Sequence, residues 1–241
     1  MIDRRNSAAS PHRHAGADRA CFAGSFIVAA LSSAALAEPF LPASLDAALL
    51  RGRDETRPVF VLVFDPHAAA ANERSAAVWS HPALAALLRT RTVPIRLDAA
   101  ANPDFVRRQR IDELPALLLL DADGRQRDRL IPYRLAADML AELRAALDGR
   151  DVVDRARSAV AAQGEHDAFA REHLALALLW KRRFDESLAE FTWCIDVGLD
   201  EAVYAASRRD PLLRAARRLA DDHPPAAALL SNRRDAWEKS L

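Results

Sequence analysis

Cysteine and glycine are both scarce in this chain of 241 residues. Its two cysteines, Cys21 and Cys194, cannot form a disulfide framework or hold a zinc ion by themselves. Its seven glycines are scattered, so the chain has no glycine-rich loop of the kind that cradles a phosphate. These two shortages exclude a disulfide-stapled scaffold and a nucleotide-binding P-loop.

An excess of one charge is also absent. Lysine plus arginine and aspartate plus glutamate number 34 each. A chain with this balance lacks the electrostatic footprint of a protein that binds nucleic acid or anionic membranes. Its histidines do not stand with Asp, Glu or Cys at the spacing of metal ligands. We therefore expect no nucleic-acid partner, no bound metal and no cofactor.

The N-terminal segment has the parts of an export signal. Residues 1–20 carry four arginines against two aspartates, and residues 21–37 carry no charge and end in Ala35-Leu36-Ala37. A basic region, an apolar stretch and small residues before a cleavage point are typical of a secretory signal peptide. The pattern predicts export to the periplasm or the extracellular space, with cleavage after Ala37. Two alternatives stay open: residues 21–37 anchor the chain in a membrane, or they form a soluble tail.

The segment after the signal alternates between strands and helices. Hydrophobic residues make up 51% of the chain, enough for a core, and they cluster in short apolar runs. Four strands are predicted, at 59–64, 92–97, 116–120 and 125–131, the last of them a polar edge strand after a hairpin turn. Helices are predicted at 44–51, 68–88, 103–110 and 135–147, with Ser44 as an N-cap and a break near Ser80, which can cap the second half. This order predicts an α/β fold, a mixed sheet flanked by helices.

After Arg150 no further strand is predicted. Five helices are predicted instead, at 151–162, 168–180, 185–197, 211–220 and 226–237. The chain therefore divides into a signal peptide (1–37), an α/β domain (38–150) and an all-helical C-terminal region (151–241).

Three passages resemble the thioredoxin-like superfamily, in particular its exported members. They are RPVFVLVFD at 57–65, VWSHPALAALLRTRTVPIRLD at 78–98 and IDELPALLLLDADGR at 111–125. They are similar to the strand before the active site, the helix and strand that follow, and the cis-proline loop with its hairpin. The resemblance covers roughly residues 41–149 and implies a thioredoxin fold.

The resemblance also shows what is missing. It implies a Cys-x-x-Cys motif at the start of the helix after the first long strand, and those positions hold Ala68 and Ala71 here. Disulfide exchange needs a thiolate that attacks and a second thiol that resolves the mixed disulfide, and alanine supplies neither. No catalytic residue is therefore carried over, and the chain is more consistent with a binding protein than with an enzyme.

Three residues remain as candidates for binding. Pro115 matches the cis-proline that, in redox members of the superfamily, holds the substrate backbone, and Leu114 precedes it. His67 lies in the loop where the active site would be, so it can contact a ligand. The alternatives are that Pro115 only begins a strand and that His67 is an ordinary loop histidine.

Residues 174–198 have a weaker likeness, to a single tetratricopeptide repeat. Phe184, Leu188, Phe191 and Cys194 stand there at helix-packing spacing. An ordinary helical hairpin explains the same spacing, and both interpretations stay open.

Three functional hypotheses follow from the sequence. The favoured one is an exported thioredoxin-fold protein without redox cysteines that binds an unknown protein partner. The second is a thiol-disulfide oxidoreductase or redox chaperone that acts through Cys194 or through a partner's thiols. The third is a structural protein of the cell envelope.

Overall fold

The computed structural model describes residues 38–132 and 135–239. The predicted signal peptide, its cleavage point after Ala37 and the alternative membrane anchor lie outside these residues. The strands are β1 Val59–Phe64, β2 Val93–Asp98, β3 Ala116–Leu120 and β4 Gln126–Leu130. The helices are α1 Leu45–Asp54, α2 Ala69–Trp79, α3 Pro82–Arg91, α4 Pro103–Arg108, α5 Ala136–Leu147, α6 Val152–Gln163, α7 Ala168–Trp180, α8 Phe184–Asp196, α9 Ala202–Asp222 and α10 Pro224–Lys239.

The four strands form one mixed sheet in the order β2-β1-β3-β4. Strand β1 pairs in parallel with β2 and antiparallel with β3, and β4 pairs antiparallel with β3. A helical crossover joins β1 to β2, as parallel neighbours require, and a tight turn joins β3 to β4. The Asp121 carboxylate holds that turn by accepting the N–H groups of Asp123 and Arg125, both at 2.9 Å. This topology is that of a thioredoxin-like fold and confirms the predicted fold class.

Both faces of the sheet are buried, because consecutive residues of a strand point to opposite sides. Val59, Val61 and Val63 of β1 belong to a core beneath α1 and α4. Phe60 and Leu62 belong to a second core, which also includes buried side chains of α3 and α5. The continuous apolar run of β1 is therefore explained by burial on two sides.

Three local predictions were wrong. His81, and not Ser80, is the N-cap of α3, because the Ser80 hydroxyl instead donates back to the carbonyl of Ala77 at 3.1 Å. Leu135, the first residue of the predicted helix, instead precedes α5 as its N-cap and is 76% exposed. Helix α9 begins at Ala202, well before the predicted start, and runs through Pro211.

The C-terminal region packs against the sheet through a buried ion cluster. Arg155 of α6 donates to the Asp128 carboxylate of β4 at 2.7 Å, and it lies 3.4 Å from the Glu142 carboxylate of α5. All three side chains are less than one tenth exposed. The predicted boundary at residue 150 thus falls between α5 and α6, two helices whose side chains meet in one cluster. Among the described residues, no helix combines the length and the apolar character needed to cross a membrane.

Candidate functional site

The loop between β1 and α2 holds the positions where the resemblance implies cysteines. Ala68 is the N-cap residue of α2, and Ala71 lies in the first turn of that helix. The loop is fixed by the His67 N–H, which donates to Asp65 Oδ1 at 2.8 Å, and by Asn72 Nδ2, which donates to the Asp65 carbonyl at 2.9 Å. A helix N-terminus lowers the pKa of a thiol placed there, but neither position carries one. The His67 side chain is exposed.

The second predicted position lies just before β3. The Leu114–Pro115 peptide bond is cis, as the resemblance implies. Pro115 is buried, whereas the half-buried Leu114 side chain packs against the core beneath α1 and α4. Pro115 therefore lies in a different environment from Leu114 and His67, the other two residues predicted to bind a ligand.

Pro115 lines a pocket of about 500 Å³ between the β3–β4 edge of the sheet and the helices α7 and α9. We call it the Pro115 pocket. Neither Leu114 nor His67 is part of its described lining. Its apolar wall consists of Ile131, Phe169, Leu176, Leu179 and Trp180. The tertiary structure thus joins the cis-proline to residues of α7, for which the sequence had predicted only a helix.

Helix α9 is held against the loop that leads to Pro115. Three ion pairs make this contact: Arg110 with Asp222 at 2.6 Å, Arg214 with Glu113 at 3.4 Å, and Arg218 with Asp112. All three pairs are partly exposed, so each contributes less than about 1 kcal/mol. Together they orient α9 along the loop, and they explain why Pro115 is covered.

Arg129 of β4 is the most buried cation of the pocket, with 7% of its surface exposed. Its Nη2 donates to the Gln109 carbonyl at 2.5 Å and to Gln126 Oε1 at 3.2 Å. Trp180 covers the guanidinium, with 5.2 Å between Cζ and the ring centre. Burial above all lowers the pKa of Arg129 to about 10, and the nearby Arg218 adds to the effect. Arg129 therefore stays protonated at neutral pH.

Arg129 is not among the binding residues predicted from the sequence, because an arginine in a polar edge strand is expected to be exposed. The only sequence signal for Arg129 was its position in β4, the strand that pairs with the strand directly after Pro115. Its burial comes from the helices that cover β4, which sequence spacing does not reveal.

A second buried charge stands beside the pocket. The Glu172 carboxylate on α7 is 1% exposed and accepts hydrogen bonds from Nε and Nη2 of Arg208, at 2.9 and 2.5 Å. Burial acts against the charge on Arg208, but its hydrogen bonds with Glu172 outweigh this and raise its pKa. Such a bidentate pair has fixed geometry and forms part of the rigid wall between α7 and α9.

Cys194 lies in the core of the C-terminal helices. It is buried, with its Sγ 3.9 Å from the Ala168 carbonyl. Burial above all raises the pKa of the Cys194 thiol to about 12, although the nearby Tyr204 hydroxyl acts in the opposite direction. At neutral pH almost none of this thiol is ionised, so it lacks the thiolate that disulfide exchange requires.

No family model matches this chain, and no curated protein is similar to it. Several solved structures match this chain, and three of them follow. A DsbH oxidoreductase is 15% identical, with 46% of this chain and 86% of that chain covered at a TM-score of 0.40. A thioredoxin from Thermus thermophilus is 23% identical, with 44% and 85% covered at a TM-score of 0.40. A putative disulphide-isomerase from Bacteroides thetaiotaomicron is 20% identical, with 46% and 93% covered at a TM-score of 0.41.

Proposed function

We propose that this chain is an exported thioredoxin-fold protein that binds a protein partner and does not catalyse thiol-disulfide exchange. One observation carries the proposal. The N-terminus of α2, where the fold would place redox cysteines, carries Ala68 and Ala71, while Cys194 is buried away from it. No metal or cofactor is part of the proposal.

The Pro115 pocket is the proposed contact site for the partner. An apolar cavity of several hundred cubic ångströms with a few fixed polar groups is the usual form of a binding site. Here the polar groups are held in place by the Arg208–Glu172 pair and by the ion pairs along α9. Partner recognition is therefore proposed to use both the sheet domain and the C-terminal helices, with or without a true tetratricopeptide repeat.

Export is proposed from the N-terminal pattern alone. If the signal is cleaved after Ala37, the exported protein begins at Glu38, and the intact mass of protein recovered from the exported fraction will show this start. If residues 21–37 anchor the chain, the protein is recovered with the membranes at its full mass instead.

The absence of catalysis is tested by insulin reduction. Protein expressed from the full-length sequence is compared with an Ala68→Cys, Ala71→Cys variant. We expect the natural chain to be inert and the variant to gain activity, because a thiol at the N-terminus of α2 has a lowered pKa. Insulin reduction by the natural chain would overturn the proposal in favour of the redox alternative.

Partner binding is tested by photo-crosslinking in living cells. A benzophenone amino acid replaces Ser207, an exposed residue that lines the Pro115 pocket. The matched control carries it at Ser158, which is exposed on α6 and outside the pocket lining. We expect a discrete crosslinked protein from position 207 only. Equal crosslinking from both positions, or none from either, would count against a partner at this pocket.

A further inference from the structure

Arg129 differs from the other arginines of the Pro115 pocket in its partners. Three of the four have a carboxylate: Arg208 pairs with Glu172, Arg214 with Glu113 and Arg218 with Asp112. Arg129 bonds only to neutral oxygens, those of Gln109 and Gln126. A buried charge without a counter-ion is unfavourable, and a bound anion relieves that cost.

The guanidinium of Arg129 also keeps unused donors. A guanidinium has five N–H donors, and both hydrogen bonds of Arg129 come from Nη2. Within residues 38–132 and 135–239, neither Nε nor Nη1 has a hydrogen-bond partner. Arg129 Cζ lies over the Trp180 ring, and a cation–π contact of this kind uses none of the N–H donors. The pocket therefore offers hydrogen-bond donors together with a positive charge that bonds to no carboxylate, with Asp112 acting on it only from nearby.

The rest of the lining selects the anion. The wall beside Arg129 is apolar and aromatic, formed in part by Phe169, Leu179 and Trp180. Carboxylates offset the charges of Arg208, Arg214 and Arg218, which leaves the pocket about one positive charge and matches a singly charged anion better than a phosphate. One unpaired cation matches one negative charge on an apolar body.

We infer that the Pro115 pocket binds a carboxylate attached to an apolar group, with the carboxylate on Arg129 and the apolar group against the wall of α7. Under the proposed function, on which this source depends, the carboxylate is the C-terminus of a partner chain that ends in a large apolar residue. A free carboxylic acid with an aromatic or aliphatic body has the same chemistry and is the other source.

The test is a titration by calorimetry of protein expressed from the full-length sequence. The probes are the peptide N-acetyl-Ala-Ala-Leu-Phe as a free acid, the same peptide with a C-terminal amide, and 3-phenylpropionate. The variants are Arg129→Met and, as a matched control, Arg127→Met. Arg127 stands two residues earlier in β4, where the pairing with β3 is irregular, and it is exposed and outside the pocket lining.

We expect the natural chain to bind the free-acid peptide at least tenfold more tightly than the amide. Arg129→Met removes that ratio, because both peptides then meet an uncharged wall, and Arg127→Met preserves it. Equal affinity of acid and amide for the natural chain would overturn the inference without any variant, and so would a ratio that survives Arg129→Met. No binding of any probe at millimolar concentration would overturn it as well.

The same titration separates the two sources. If 3-phenylpropionate binds as tightly as the free-acid peptide, the carboxylate site stands and a small acid is its ligand, which counts against a protein partner. If position 207 crosslinks a partner but acid and amide bind alike, the proposed function stands and the carboxylate inference fails.

Discussion

At the scale of single residues, burial decides what the few reactive groups can do. Cys194 and Arg129 are both ionisable and both buried, but the consequences differ. Burial keeps Cys194 in its neutral thiol form, whereas Arg129 remains charged because even a pKa of about 10 lies far above neutral. One group is thereby removed from chemistry, and the other remains as a buried positive charge.

The thiol of Cys194 is expected to be unreactive in the folded protein. The exported chain, if it begins at Glu38, has Cys194 as its only cysteine. Ellman's reagent should therefore detect almost no thiol in native buffer and one thiol per chain in 6 M guanidinium, about the concentration that unfolds even very stable domains. Rapid labelling of the native protein at pH 7 would contradict the burial and raised pKa described above.

At the scale of elements, a single side chain holds the start of helix α6. Asp151 is the N-cap of α6, and its carboxylate accepts the Val153 N–H at 2.8 Å and pairs with Lys181 at 2.6 Å. Partial burial opposes ionisation of Asp151, but the hydrogen bonds from Lys181 and Val153 outweigh it and lower its pKa. A carboxylate with a lowered pKa stabilises the fold above its unfolded-state pKa and loses that effect as the pH falls.

We expect Asp151→Ala to lower the free energy of unfolding by about 1 kcal/mol at pH 7. Asp151→Asn keeps a capping oxygen and should stay within about 0.5 kcal/mol of the natural chain. Urea unfolding measures both changes. The difference between the natural chain and Asp151→Ala should begin to shrink below about pH 4, where the unfolded chain's carboxylate becomes protonated, and continue to shrink as the pH falls through the lowered pKa of the folded chain. A difference independent of pH would show that the charge of Asp151 contributes nothing.

The sequence predicted strand β4 correctly but did not predict that some of its polar side chains are buried. Its polar sequence predicts an edge strand, and it is the last strand of the sheet. Asp128 and Arg129 are nevertheless buried, because helices of the C-terminal region cover that edge. The polar residues that mark an edge strand became the buried charges of an interface.

At the scale of the whole molecule, the Arg155 cluster joins the sheet to the C-terminal helices. Replacing Arg155 by Met would leave the buried Asp128 carboxylate without the guanidinium that it pairs with, and would remove one contact of Glu142. We expect a loss of about 3–5 kcal/mol in the free energy of unfolding, as for other buried pairs that lose one partner. Chemical denaturation followed by circular dichroism and by tryptophan fluorescence measures this loss.

The control is Arg157→Met on the same helix. Arg157 pairs with Glu186 at 2.8 Å, but both side chains are largely exposed, so we expect a change below about 1 kcal/mol. The natural chain should also unfold in one transition with both probes, because the cluster couples its two parts. Two separated transitions, or equal effects of the two substitutions, would show that the parts fold independently.

The sequence by itself determined the class of fold and the absence of cysteines at the two positions where the resemblance implies them. Strand β1, the hairpin turn at Asp121 and most helices follow from hydrophobic periodicity and turn residues, which act over a few neighbouring positions. The missing cysteines can likewise be read directly from the chain.

Only the tertiary structure decided where the Pro115 pocket lies. The pocket exists because α9 packs against the loop before Pro115, through contacts such as Arg110 with Asp222, which are 112 residues apart. Pairing over that distance depends on how whole elements pack, so periodicity and spacing leave no trace of it. For the same reason the sequence predicts a surface position for Arg129. In the fold Arg129 is a buried cation that bonds only to neutral oxygens.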